Sequence, residues 1–170
     1  MARGGTNGVS SPLLFIAEVE HVLVEGVAAL GAWGGAVGGA VGGGFAGRLG
    51  GASGGRSGGR FGARYLTRLD GDQRVIHVER SEENLQAVRA EFFGGRVREG
   101  RGAPPGATAE ALLMAGVVGS GPMSMNPCVV QLVWFAHELH ATAHAKEGLI
   151  KQRTCAKALR ALASMLGRAE

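Results

Sequence analysis

Apolar and polar residues follow different spacings in different parts of this chain. Gly26 to Gly47 is a run of 22 residues without a charge, in which bulky apolar residues recur at every fourth position. Arg74 to Glu79 alternates polar and apolar residues as a short strand does, and Ser81 is placed to cap a helix that continues to about Phe93. Residues 149–168 return to helical spacing with one apolar stripe: Cys155, Leu159, Leu162 and Leu166. Helical spacing dominates, so the pattern predicts a mainly α protein.

A four-residue repeat organises residues 31–70. Its first units read GAWG, GAVG, GAVG and GGFA, and its later units read GRLG, GASG, GRSG and GRFG. Glycine opens each of these tetrads, and the second position, alanine in the early units, is arginine in most of the later ones. A period of four is close to the 3.6 residues of a helical turn, so the opening glycines share one helix face. We expect this face to pack against another helix through Gly31, Gly35, Gly39, Gly43 and Gly47.

The uncharged run is long enough to cross a bilayer. At about 1.5 Å per residue its 22 residues extend over about 33 Å, against a hydrocarbon core of about 30 Å. Interior glycines disfavour a helix in water by about 1 kcal/mol each, whereas lipid forces the backbone to satisfy its hydrogen bonds internally. The run therefore predicts a glycine-zipper transmembrane helix at residues 22–47, stabilised further by self-association.

The charges on the two sides of this run differ in sign. Three glutamates precede it: Glu18, Glu20 and Glu25. Five arginines follow it at multiples of four residues: Arg48, Arg56, Arg60, Arg64 and Arg68. The positive-inside rule then predicts a membrane protein whose C-terminal side is cytoplasmic, with these arginines on the anionic leaflet.

Three other interpretations of the glycine-rich region stay open, and the first is that residues 26–47 pack in the interior of a soluble protein. Tracts such as GGASGGRSGGRFGAR are typical of flexible linkers. The segments GGRSGGRFGARY and GGRVREGRG also resemble the arginine- and glycine-rich segments of RNA-binding proteins, in which arginines pair with phosphates and aromatic residues stack on bases. The chain carries 18 Lys and Arg against 14 Asp and Glu, a net charge of +4, which agrees with a phosphate-bearing partner.

The segment NPCVVQLVWFAHELHATAHAKEG, residues 126–148, contains three histidines between helix-boundary signals. An Asn-Pro pair suits a helix start and the final glycine suits a stop, so one helix is predicted to carry His137, His140 and His144 on one face. Two histidines four residues apart on a helix can bind zinc. Zinc lowers the pKa of a bound water to about 7 and so supplies a nucleophile.

The same region resembles the zinc-helix region of bacterial effector-type metallopeptidases. The shared features, within residues 116–148, are a glycine-rich Gly-Ser turn, an Asn-Pro pair, an apolar run and a His-Glu-Leu sequence followed by a glycine. The resemblance implies zinc ligation by His137 and general-base catalysis by Glu138. The chain departs from the family at Ala141, where the family has its second histidine. A secreted effector or toxin with a zinc hydrolase domain, intact or degenerate, is therefore an alternative function.

These patterns divide the chain into four parts. They are an N-terminal segment (1–21), the membrane helix (22–47), a basic Gly/Arg repeat (48–70) and a small, mostly helical domain (71–170) with some β structure that ends in a helical hairpin. The main function predicted is membrane insertion and self-association without catalysis; an enzyme would be a zinc-dependent hydrolase. No cofactor other than zinc is expected. The expected partners are a lipid membrane and further copies of the chain, with nucleic acid as the alternative.

Overall fold

The described part of the chain folds into a five-stranded antiparallel sheet with helices on both faces. The computed structural model describes residue 14 and residues 16–103, 109–120, 126–148 and 152–167, without the side chains of residues 30, 33, 34, 37, 38, 40–45 and 120. Within this part the elements are α1 (Ile16–Phe61), β1 (Arg68–His77), α2 (Glu82–Ala87), β2 (Val97–Gly102), β3 (Ala111–Ser120), β4 (Asn126–Trp134), β5 (Glu138–Glu147) and α3 (Thr154–Leu166). Short π-helical turns extend α1 and α2, at Gly62–Leu66 and Val88–Phe92 respectively.

The strands lie in the order β1-β5-β4-β3-β2. β2 to β5 form a meander, and β1 lies beside β5, so β1 and β2 end the sheet. The central strand β4 contains the apolar run CVVQLVW, which is buried on both faces. β5 alternates buried and half-buried residues along its whole length, because one of its faces meets the main core and the other faces α1.

One face of the sheet packs against α3 and forms the main core. Trp134 of β4 and Leu139 of β5 are fully buried there. They meet the apolar stripe of α3, which consists of Cys155, Leu159, Leu162 and Leu166. The stripe predicted from the sequence is confirmed, although the helix begins later, at Thr154.

The other face of the sheet is covered in part by the first turns of α1. Val19 and Leu23 are fully buried against Val129 of β4. The side chain of Gln131 accepts a hydrogen bond from the Leu14 N–H at 3.0 Å and donates one to the Leu14 carbonyl at 3.3 Å. These contacts fix the start of α1 on the middle of the sheet.

The 46 residues of α1 do not form a straight rod. In a straight helix Gly31 and Gly55 would stand about 36 Å apart, yet a Cβ on Gly31 would collide with the Gly55 carbonyl oxygen. The same contact joins two further pairs, Gly35 with Gly51 and Gly39 with Gly47. The chain therefore turns back between the members of the last pair. Two antiparallel helical arms result, residues 16–39 (the first arm) and residues 47–61 (the returning arm).

The glycines at the first and fourth positions of the tetrads have different surroundings. The first-position glycines of the pairs above form the contact between the arms, where the backbones leave no room for a side chain. A Cβ at the fourth position of the returning arm would meet no other part of the chain within 4 Å, at Gly50, Gly54, Gly58 and Gly62. The surroundings of Gly43, at which the same packing was expected, lie outside what the structure describes. The row of first-position glycines thus allows two helical arms of the same chain to pack closely against each other.

The prediction of a transmembrane helix at residues 22–47 is wrong. Among the described residues, no helix combines the length and the apolar character that crossing a bilayer requires. Glycine and alanine make up most of the run and contribute little hydropathy, and the chain turns back before the run ends. Membrane insertion as the function, and a membrane location with a cytoplasmic C-terminal side, both rest on that helix and are wrong with it.

The prediction of a mainly α fold with a C-terminal helical hairpin is also wrong. Residues 126–147 form a β-hairpin, whose turn is closed by a 2.9 Å hydrogen bond from the Phe135 N–H to the Glu138 carbonyl. The sequence LHATAHAK alternates with a period of two, and its leucine and alanines are buried. The helix propensity of alanine is overridden here, because β5 pairs with a strand on each side.

Candidate nucleic-acid interface

The returning arm and the strand after it carry the five arginines of the repeat. Arg48, Arg56 and Arg60 each follow a first-position glycine, Arg64 lies in the π-helical turn, and Arg68 begins β1. All five are exposed. Because the second tetrad position directly follows the first, the helical arginines form a row beside the contact between the arms.

Glu25 of the first arm neutralises part of this arginine row. Its carboxylate accepts hydrogen bonds from Arg60 Nε at 2.8 Å and Arg60 Nη2 at 2.7 Å, and it lies 3.5 Å from Arg56 Nη2. The hydrogen bonds from Arg60 hold the pKa of Glu25 below its usual range, so the carboxylate is charged at neutral pH. In the described part of the chain, Arg48, Arg64 and Arg68 have no ion-pair partner.

Two aromatic rings stand exposed next to the arginine row. Phe61 and Tyr65 are 59% and 67% exposed. Their ring centroids lie 4.9 Å apart, with the ring planes inclined by 41°. Arg64 lies three residues beyond Phe61 and directly precedes Tyr65, so cationic side chains flank the ring pair. The result is a solvent-facing aromatic surface with positive charge around it.

A cleft of about 600 Å³ lies between the first arm, the end of the returning arm and β5. Its charged and polar lining consists of Glu20, His21, Glu25, Arg60, Arg64 and Lys146. Both carboxylates are already paired, Glu25 with Arg60 and Glu20 with Lys146. Arg64 belongs to the cleft as well as to the arginine row, so the basic surface continues into it.

The second arginine- and glycine-rich segment, residues 94–102, lies elsewhere in the fold. Gly94 and Gly95 have φ angles of 58° and 75° and turn the chain toward β2, which pairs with β3. Arg96 and Arg98 line a groove of about 530 Å³ that runs beside β3, whereas the cleft lies beside β5. The two segments that look alike in sequence therefore do not form one surface.

Comparison with known proteins adds no functional assignment to this surface. No protein family, curated protein or solved structure matches the chain. The function therefore rests on the chemistry of the surface itself.

The three histidines of the predicted zinc helix do not converge. His137 is exposed in the β4–β5 turn, whereas His140 and His144 lie on β5, about 13 Å apart along a strand. The described residues contain no group of three His, Cys, Asp or Glu side chains that could hold a metal ion. The prediction of a zinc-binding helix is wrong, because a strand separates side chains that a helix would bring together.

Glu138, the expected general base, pairs with a histidine at the turn of the β4–β5 hairpin. Its Oε1 lies 2.8 Å from His140 Nε2. The His140 ring in turn meets the Phe135 ring edge-on, with centroids 5.5 Å apart. These contacts hold the Glu138 and His140 side chains at the opposite end of β5 from Lys146 and the cleft.

The pairing of Glu25 with Arg56 and Arg60 was not predicted from the sequence. In the folded repeat the contacting glycine pairs Gly31–Gly55, Gly35–Gly51 and Gly39–Gly47 are all centred on position 43. Folding the repeat about that position brings residue 25 next to residue 60. The same symmetry explains why Glu25, which precedes the run, meets arginines that follow it.

Proposed function

We propose that this protein binds single-stranded nucleic acid along the returning arm, without catalysis. The observation that carries the proposal is the exposed Phe61–Tyr65 ring pair with Arg60, Arg64 and Arg68 around it. Arginines contact phosphates, and an aromatic ring can stack on any base at about 1–3 kcal/mol per base. Such a surface binds with little dependence on base sequence and with strong dependence on salt.

The exposed rings favour a single strand over a duplex. A duplex hides the faces of its bases in the stack, whereas a single strand presents them to side chains. A surface that recognised duplex phosphates alone would need only the arginines. Phe61 and Tyr65 are both more than half exposed, so their ring faces are available for bases to stack on.

The cleft extends the proposed path of the strand. A phosphate that follows the arginine row toward the base of the arms reaches Arg64, which lines the cleft together with His21. The carboxylates of Glu25 and Glu20 repel this phosphate only weakly, because Arg60 and Lys146 already neutralise them. Nucleotide binding at this end therefore depends mainly on Arg64.

The test is fluorescence anisotropy of labelled oligo(U) and oligo(dT) with the full chain. The double variant F61A/Y65A removes both stacking surfaces, and we expect its dissociation constant to rise at least about tenfold. The matched control F61W/Y65W keeps two exposed rings and should keep the affinity. Wild-type affinity in F61A/Y65A, or no binding of the wild type at low salt, contradicts the proposal.

The arginines are tested through the salt dependence. Arg64→Gln removes a phosphate contact, so the slope of log K against log salt should become shallower by about 0.7. Arg160→Gln, an exposed position on α3, loses the same charge away from the surface and serves as its control. Equal slopes in the two variants would assign the binding to net charge rather than to this surface.

A further inference from the structure

β1 leaves one edge of the sheet open. It pairs with β5 over ten residues, and no other described strand lies on its outer side. Most of its residues are exposed, including Val75 at 47%. A long exposed edge strand presents a row of free N–H and C=O groups to which another strand can add.

The hydrogen bonds at the end of β1 show which backbone groups are free. The Val78 N–H donates to the His137 carbonyl at 3.1 Å, so even-numbered residues of this segment turn toward β5. Odd-numbered residues from Leu69 to His77 therefore turn their N–H and C=O groups outward. The Gln73 N–H agrees with this assignment, since it donates at 2.9 Å to its own neighbour, the Asp72 carboxylate.

Two opposite charges lie on one face of this free edge. Asp72 and Arg74 are both exposed, and neither has an ion-pair partner among the described residues. Their neighbours across β5 are the uncharged Ala143 and Ala141. Partners for the two charges must come from outside the described chain or from solvent.

We propose that β1 pairs antiparallel with β1 of a second copy, about a twofold axis at Gln73, to form a continuous sheet. In this register Asp72 faces the partner's Arg74 and Arg74 faces the partner's Asp72. Both pairs fall at non-hydrogen-bonded positions, where side chains of neighbouring strands come closest. Val75 faces the partner's Gly71 and covers the space that glycine leaves open.

The neighbouring twofold registers pair these two charges less well. An axis at Val75 sets Arg74 against the partner's Ile76 and Asp72 against the partner's Val78, so neither charge meets an opposite one. An axis at Asp72 or Arg74 sets that residue against its own copy. An axis at Gly71 sets Arg74 against the partner's Arg68 and Asp70 against the partner's Asp72. Among these registers the axis at Gln73 alone gives both charges an opposite partner and no like-charged neighbour, so charge complementarity favours a second copy of this strand in that register.

This interface replaces the one expected from the glycine face. The first-position glycines meet the returning arm of the same chain, so they are not free to join two copies. The β1 edge lies outside the proposed nucleic-acid surface except at Arg68. The inference therefore stands or fails independently of nucleic-acid binding.

The register is tested by single cysteines in the full chain. Gln73→Cys sets two thiols opposite each other with Cα atoms about 5.5 Å apart, within the disulfide range. We expect this variant to form a covalent dimer on oxidation with oxidised glutathione, seen by non-reducing electrophoresis. Asp72→Cys, Arg74→Cys and Val75→Cys are matched controls that should remain uncrosslinked, because their thiols stand off the axis. Crosslinking through a control but not through Cys at position 73 overturns the proposal.

The charges are tested by analytical ultracentrifugation of the full chain. Asp72→Arg or Arg74→Asp alone places like charges in both pairs and should raise the dimer dissociation constant about tenfold or more. The double exchange D72R/R74D restores opposite charges and should restore the dimer. A monomeric wild type, a dimer that the single variants leave unchanged, or an assembly that needs a different molecule overturns the proposal.

Discussion

Gly35 and Gly51 face each other across the two arms of α1 with no room for a side chain on either. A Cβ on Gly35 would lie 2.8 Å from the Gly51 carbonyl carbon and 3.2 Å from Gly55 Cα. These obstacles are backbone atoms, which cannot move aside as a flexible side chain can. The arms would have to separate to admit even one methyl group.

Gly35→Ala should therefore destabilise the protein. The gain in helix propensity is about 1 kcal/mol, whereas overpacking against backbone costs about 1–3 kcal/mol or more. We expect a net loss in the free energy of unfolding, measured by urea denaturation followed by circular dichroism.

Gly54→Ala is the matched control, with the opposite sign. Gly54 lies on the returning arm in the fourth tetrad position, where a Cβ meets no other part of the chain within 4 Å. Only the helix propensity changes, so this variant should be more stable by about 1 kcal/mol. If both substitutions shift stability in the same direction, the arms do not pack as described.

Glu25→Gln should strengthen the proposed nucleic-acid binding. The Glu25 carboxylate accepts two hydrogen bonds from the Arg60 guanidinium and also attracts Arg56. Without its charge, both guanidinium groups are free to contact phosphates. Each new contact should steepen the slope of log K against log salt by about 0.7. The measurement is oligo(U) anisotropy at several salt concentrations.

Glu83→Gln separates this local effect from net charge. Glu83 is exposed in the first turn of α2, and its substitution changes the net charge by the same unit. We expect a much smaller gain in affinity from this control. Similar gains in the two variants would mean that Glu25 does not mask the arginine row.

Helices α2 and α3 could be predicted because their sequence signals are local. Ser81 caps α2 as expected, since its hydroxyl oxygen accepts a 3.2 Å hydrogen bond from the Asn84 N–H. The apolar stripe of α3 follows from spacing alone, because a helix places residues three and four apart on one face.

The strand predicted from Arg74 forms the second half of β1. The parts of the sheet that were missed depend on partners distant in sequence. Asp70-Gly71-Asp72 is typical of a turn, yet these residues lie inside β1 and pair with β5. Gly71 lies opposite His144, and a Cβ there would come within 3.3 Å of the His144 ring, so that glycine accommodates a ring. Nothing in residues 70–72 alone distinguishes that use from a turn.

The surroundings of the glycine repeat could not be predicted either. A period of four shows that small residues share a helix face, but lipid-embedded helices and the arms of one hairpin use the same face. The decisive information is the partner, and it lies in the second half of the same repeat. The alternating sequence of β5 was, in contrast, a visible strand signal that the helix-forming alanines and the histidine spacing obscured.

Ser81→Ala should destabilise the protein by about 1 kcal/mol, the usual loss when a helix cap is removed. The Asn84 N–H would lose its acceptor at the start of α2. Ser164→Ala on α3 is the control, because that serine is exposed in a helix interior where alanine is favourable. Urea denaturation of both variants measures the difference, and an equal stability for the two would exclude the capping role.

His144 should make the stability depend on pH in the acidic range. Burial lowers the pKa of His144 below its ordinary value of 6.5, and its Nδ1 is buried without a hydrogen-bond partner. The unfolded chain then binds a proton at a higher pH than the folded chain does. The contribution of this residue to stability is therefore complete above about pH 6.5 and is lost as the pH falls to the lowered pKa.

His144→Gln removes this titration, so its free energy of unfolding should fall less than that of the wild type between pH 7 and pH 5. Thr142→Ala, on the same face of β5, is the control and should keep the wild-type pH dependence. Urea denaturation at a series of pH values gives the comparison. Parallel profiles for wild type and His144→Gln, or an NMR titration of His144 with a pKa at or above 6.5, would contradict the burial of its ring beside Gly71.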